Sequence, residues 1–455
     1  MEEVLIFNKL SGLFMIENYQ KKLILIELNE INFDIVEQYC SLNKTAYPNL
    51  KKLISSKGIR TKSEAQYEHL EPWIQWASVH TCKTYAEHGV FRLGDIVGSS
   101  EPQIFEQLEQ AGFKVGAISA MNAENRLKNP SYFIPDPWTQ TPSDSSWWSQ
   151  VLGQAVSQAV NDNAQARITM QSAFYIALGL LRFAQVAHYR KYLSLVSASR
   201  RKPWLKSLVL DLMLHDVHWS MFNKKQPNFS TLFLNAGAHI QHHYLFNAEP
   251  LRGASKNKNP VWYVSQDEDP LADVLSLYDM IVGEYFGRTD TEVVLATGLA
   301  QKPYDRVKFY YRLNTHAEFL SRLGITCNGV YPRMTRDFLI EFDTENQAQD
   351  AHDVLALVTV DDGDIQLFGE IDNRGKSLFV TLSYPHEITS ATTYCIGHQK
   401  LPLLPEVSFV AIKNGMHQDE GFAFFTPGFS PYAPNNLEHC SQIGFAIKKY
   451  FNVEI

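Results

Sequence analysis

The feature that most constrains this chain is a short apolar run, Lys22–Leu28 (KLILIEL), that breaks off at Asn29-Glu30. So uniform and short an aliphatic stretch offers no face to water. That is the pattern of a parallel strand buried on both sides. Parallel strands need crossover connections, and helical segments follow where they are required. One is read over about Asp34–Cys40, and another starts at Tyr47-Pro48-Asn49-Leu50 and stops near Gly58. Gln103–Gln110 is helical and turns through Ala111-Gly112-Phe113 into a strand, Lys114–Ile118. Ser230–Leu234 (STLFL) and Thr291–Ala296 (TEVVLA) are further strands, the second fed by an amphipathic helix over Leu271–Phe286. The expected fold class is α/β, with a doubly wound, mainly parallel sheet.

Two segments depart from this alternation. Trp147 to about Phe222 is helical without a strand pattern and is expected to form a helical cap over one edge. From about Arg336 to Ile388 the segments DFLIEF, VLALVTV, DIQLFGEI and SLFVTLSY read as short strands, with turns at Asp361-Asp362-Gly363 and Asn373-Arg374-Gly375. The expected organisation is a core over 1–335 that includes the cap at about 147–222. A small α+β insertion follows over 336–400, and the chain returns to the core over 401–455.

With 455 residues, 45% hydrophobic and 20% charged, the composition is that of a globular chain. A net charge of -8 and a pI near 6.0 argue against nucleic acid as a partner. The local basic run Arg200-Arg201-Lys202, with Arg190 and Lys191 upstream, reads as a solvated helix end or as a contact for a phosphate or an anionic lipid head group. The five cysteines are scattered without CxxC spacing, which fits a reducing compartment. The opening residues MEEVLIFNKLSGLF lack a basic n-region, and Ser172–Phe183 is too short to span a bilayer. The expectation is a cytoplasmic protein without a transmembrane segment; peripheral membrane association and a homo-oligomer are compatible with the sequence.

Several segments, in order, resemble the alkaline phosphatase superfamily, and most closely its type I phosphodiesterase/nucleotide pyrophosphatase branch. LILIELNEINFDIV (Leu23–Val36) is similar to its opening strand and loop, and YPNLKKLISSKGI (Tyr47–Ile59) to its "tPNLdrLaaeG" helix. ASVHTCKTYAEHGV (Ala77–Val90) and IFEQLEQAGFKVGAISA (Ile104–Ala120) resemble the next two landmarks. STLFLNAGAHIQHHY (Ser230–Tyr244), LSLYDMIVGEYF (Leu275–Phe286), EVVLATGLAQ and GMHQDEGFAFFTPGFSP (Gly415–Pro431) resemble the later ones. The resemblance covers most of the chain outside the cap and the insertion. It implies an alkaline-phosphatase-like core with two divalent ions, usually zinc, beside a Thr or Ser nucleophile.

Carried over residue by residue, that machinery is largely replaced. The opening Asp maps onto Asn29, the nucleophile falls near Pro72 beside Glu71, and the Asp of the "D..gH" motif maps onto Ala238. The "DHG" pair maps onto Gly298 and Leu299. The two histidines that the resemblance retains are His242 and His417. An orthodox two-zinc site is not expected.

The residues at these positions still suggest chemistry. Glu27, Asn29 and Glu30 cluster at the carboxyl end of the first strand, where open α/β sheets bind ligands. His239, His242 and His243 have the i, i+3, i+4 spacing of one helical face, which can present imidazoles to one metal. The candidate set is Glu71, Glu30 and His80 as catalytic groups, His242, His417, His239 and Asn29 as metal ligands, and His243 and Glu27 as substrate contacts. Bland alternatives stand beside these: a structural ion pair for Glu27, a structural carboxylate for Glu71, hydrogen-bonded surface residues for the histidines.

Two functions follow. The first is a divergent hydrolase or transferase acting on a phosphate ester or phosphodiester, a small-molecule or glycan-linked substrate, with one zinc or manganese ion or with a histidine–carboxylate pair alone. The second is a pseudoenzyme that keeps the fold and binds a ligand or a partner protein.

Overall fold

The computed structural model describes residues 21–454 apart from 44, 57, 162–168, 254–255, 334–335, 361–364 and 398. The opening segment of the chain and the Asp361-Asp362-Gly363 turn therefore lie outside the described residues. The centre is a seven-stranded sheet. Its order is Ile59–Lys62, Glu420–Phe425, Glu292–Ala296, Leu23–Leu28, Phe229–Leu234, Val115–Ile118, Tyr132–Ile134. The last five are parallel, with Ile26 level with Leu232 on one side and Leu295 on the other. Glu420–Phe425 runs antiparallel between Ile59–Lys62 and Glu292–Ala296.

All six residues of Leu23–Leu28 are buried, as the apolar run predicts. Side chains alternate along the strand. Ile24, Ile26 and Leu28 join one core, with Leu212, Leu275 and Ile281; Leu23 and Leu25 join another, with Trp76, Phe105 and Ile443. Helices thus cover both faces, which makes the sheet doubly wound.

The region expected to be a helical cap forms helices at Trp147–Asn161, Met170–Phe183, Tyr189–Ala198 and Leu205–Lys225. Leu152, Val156, Phe183, Tyr192 and Leu208 anchor them in the first of these cores, beside the edge strand Tyr132–Ile134. Among the described residues no helix is long and apolar enough to cross a membrane.

A two-stranded ribbon, Ala300–Leu313 with Val407–Gln418, leaves the main sheet and enters a third core built from Phe319, Phe338, Leu355, Leu378 and Tyr394. Two four-stranded sheets surround that core. The sequence reading of Val354–Val360 as a strand is corrected here. Glu345–Ala356 is a helix with a Thr344/Gln347 capping box, and only Thr359–Val360 is extended. Ala348, Ala351 and Leu355 recur at helical spacing and point into the core, and that periodicity overrides the β-branched composition of the segment.

Candidate functional site

The first strand ends between its neighbours. The Asn29 amide donates to the Leu234 carbonyl, and the Glu30 amide to that of Thr297. Glu30 sits at φ 60, a left-handed conformation that costs a non-glycine residue about 1 kcal/mol or more. Glu30 is held there by Gln241 Nε2 on the Glu30 carbonyl at 2.8 Å and by Gln301 Nε2 on Glu30 Oε2 at 2.6 Å.

Two imidazoles meet the same carboxylate oxygen. His242 arrives on the helix Ala236–Tyr244, whose first turn is capped from outside by the buried Asp211 carboxylate, which accepts from the Ala236 amide at 2.9 Å. His417 arrives on the ribbon strand Val407–Gln418, directly opposite Gln301. Each places Nε2 3.0 Å from Glu30 Oε2, and the two Nε2 atoms are 3.4 Å apart. Burial pushes the Glu30 carboxyl up, but the charges of His417 and His242 outweigh it and hold the group well below the usual carboxylate range. Burial likewise lowers His417, yet Glu30, and then Glu71, raise it above the ordinary histidine value.

Glu71 precedes the helix Pro72–Thr81 and brings Oε2 to 3.7 Å from His417 Nδ1. Burial raises its pKa, against the opposing pull of His417. Cations gather on the ribbon and against it: Lys308 stands directly opposite Lys413, and Arg336, from outside the ribbon, lies 4.4 Å over the Tyr310 ring. All three are half-buried, and among the described residues none has a carboxylate within ion-pair distance.

The remaining sequence candidates fall elsewhere. Asn29 spends its carbonyl oxygen on Trp76 Nε1 at 2.8 Å and its amide on Glu30 Oε1 and Asn235, so it orients Glu30 and does not face the centre with a free donor atom. His239 and His243 turn on each other, with ring centroids 4.7 Å apart, and burial keeps both neutral; the pKa of His239 falls to about 4. His80 and Glu27 form a wholly buried pair at 3.0 Å, which Thr231 completes, on the opposite face of the first strand to Ile26. Strand alternation puts Glu27 there and closes it off from the centre.

The sequence reading missed Gln301, Trp76 and the ribbon cations. It also missed a group in the helical region, where His188 bonds Asp216 at 2.7 Å and Glu284 at 2.9 Å, and His215 bonds Glu284 at 2.9 Å. Both ring nitrogens of His188 are engaged by carboxylates, which is the geometry of a structural imidazolium tying three helical segments together.

Glu30, His242 and His417 have the composition of a two-histidine, one-carboxylate metal site. Donor atoms about 2.0–2.1 Å from a tetrahedral ion lie about 3.3 Å from one another. The observed spacings of 3.0, 3.0 and 3.4 Å match that figure. The second metal centre that the sequence resemblance implies does not fit the residues present. Gly298 packs at φ +70 against Trp76, and Leu299 is buried in the core.

No protein-family model matches the chain, and no curated protein matches it. Among solved structures it is similar to phosphonoacetate hydrolase from Sinorhizobium meliloti 1021, at 11% identity and TM-score 0.42 over 95% of this chain and 96% of that one. It is similar to murine ectonucleotide pyrophosphatase/phosphodiesterase 5 with the same identity, coverage and score. Alkaline phosphatase from the Antarctic bacterium TAB5 follows at 10% identity and TM-score 0.35, covering 95% of this chain and 99% of that one. The chemistry of the site is read from this chain's own residues.

Proposed function

We propose that this chain is a hydrolase or transferase acting on a phosphate ester or phosphodiester at a single divalent-metal centre held by Glu30, His242 and His417. The observation that carries the reading is the triangle of donor atoms at tetrahedral spacing. Glu30, His242 and His417 would hold a divalent ion such as zinc or manganese, which would supply Lewis-acid chemistry when bound. Gln301 and Asn29 fix the Glu30 carboxylate, and Trp76 fixes Asn29. Glu71, with its raised pKa, holds or takes a proton beside His417, the task of a general acid or base. Lys308, Arg336 and Lys413 favour an anionic substrate over a neutral one.

The test is metal content by plasma mass spectrometry on wild type and His242→Ala/His417→Ala protein, with hydrolysis of bis(p-nitrophenyl) phosphate measured in parallel. One equivalent of metal and measurable turnover, both absent from the double variant, are expected. Bound metal without turnover on any phosphate ester shifts the reading to a ligand-binding pseudoenzyme. No metal in wild type, even after incubation with zinc and manganese, ends the reading.

A further inference from the structure

The helical region carries a feature unrelated to the metal cluster. From residue 163 to residue 210 the chain contains eight lysines and arginines and no aspartate or glutamate, although the whole protein has a net charge of -8. In the same stretch, large apolar side chains face outward. Met170 is 91% exposed, Leu181 74%, Val186 82% and Leu193 73%, with Phe174 and Val196 more than half exposed.

These side chains are ordered. Successive helix residues turn by about 100°, so Met170, Phe174 and Leu181 fall within about 40° of one another on the helix Met170–Phe183. By the same arithmetic Tyr189, Leu193 and Val196 form one stripe on Tyr189–Ala198. Val186 lies in the short connection between the two helices. The opposite side of the first helix is packed through Ser172, Gly179 and Phe183, and the second helix is anchored by Leu195 and, beside its stripe, by Tyr192. A Cβ at Gly179 would come within 2.6 Å of Leu152, so the first helix is pressed closely onto the helix beneath it. Both apolar stripes are thus presented outward by helices whose inner faces are fixed.

The cations lie alongside. Arg182 follows Leu181, Arg190 flanks the second stripe, and Arg200 and Arg201 follow its end. Among the described residues, these four make no ion pair, whereas Lys202 is paired with Glu268. Outward apolar residues beside unpaired cations on a short helix pair are the composition of an element that lies in a membrane interface. A second copy of this chain is the less suitable occupant, because apposing two such faces would also appose their cations.

We infer that the paired helices Met170–Phe183 and Tyr189–Ala198 dock the protein on an anionic phospholipid surface. Their apolar stripes enter the headgroup boundary, and Arg182, Arg190, Arg200 and Arg201 meet the lipid phosphates. The attachment is peripheral, reversible and sensitive to salt, and it is independent of the metal centre.

The experiment is co-sedimentation of the full chain with phosphatidylglycerol-rich vesicles and with pure phosphatidylcholine vesicles, at low and high salt. Wild type is expected to pellet with the anionic vesicles at low salt and to be released at high salt. Phe174→Asp/Leu181→Asp should lose binding by more than tenfold. Arg190→Gln/Arg200→Gln/Arg201→Gln should weaken it by about fivefold per cation. Thermal melting should match wild type for both variants, since the substituted residues are exposed and unpaired. Failure to pellet, equal pelleting on phosphatidylcholine, or unchanged binding in the variants overturns the inference. So does a dimer in sedimentation velocity that Phe174→Asp/Leu181→Asp dissociates, which would assign the face to a second copy.

Discussion

His242 Nε2 and His417 Nε2 lie 3.4 Å apart and address the same oxygen of Glu30. They reach it from elements far apart in sequence, the helix after the strand Phe229–Leu234 and the closing ribbon. Glu30→Gln keeps the shape of the side chain and removes its charge. It is expected to weaken zinc or manganese binding by more than tenfold, as read by competition with a chromophoric chelator. Unchanged affinity would remove Glu30 from the ligand set.

Gly415 stands where a side chain would strike the clamp on Glu30. A Cβ there would fall 2.0 Å from Gln301 Oε1 and 2.8 Å from the Gln241 carbonyl. Gly415→Ala should therefore push Gln301 off Glu30, lower metal affinity, and cost about 1–3 kcal/mol of stability from overpacking. Chelator competition and urea unfolding on the same protein read both effects.

Glu27 and His80 are expected to serve stability and not the centre. Glu27→Leu leaves His80 and Thr231 without their buried partner and should destabilise the fold by about 3–5 kcal/mol. Its metal content should equal that of wild type. A folded Glu27→Leu variant that has lost its metal would contradict this separation.

His188 gives a pH dependence whose sign is fixed. Burial lowers its pKa, but Asp216 and Glu284 outweigh burial and raise it to about 9, above the ordinary value of 6.5. The folded state therefore binds the proton more tightly than the unfolded chain does. The stabilisation is complete below about pH 6.5 and is lost as pH rises through about 9. Urea midpoints of wild type should fall across that window. The midpoint of His188→Leu should be lower at pH 6 and should approach that of wild type at pH 10.

The strands were legible in the sequence because burial on both faces leaves a short, mainly apolar run, as at Leu23–Leu28 and Phe229–Leu234. His242 and His417 were legible through the motifs they close. Glu30 was read as a catalytic group at the strand end, but its place between the two histidines depends on its left-handed turn, which no strand alternation predicts, and alternation itself put Glu27 on the closed side. Lys308 and Lys413 are a hundred residues apart and meet only through ribbon register. His188, Asp216 and Glu284 converge from three helical segments whose packing no local pattern records.

The ribbon has one further consequence, for engineering and for descent. Its strands tie the third core to the main sheet, yet they also carry Gln301, Lys308, Lys413 and His417. The smaller unit is therefore not a detachable module. A shortened chain that splices Ala300 to Gln418 would delete a ligand, its clamp and the nearby cations in one cut, and a unit borrowed from another protein would have to bring them all back in register.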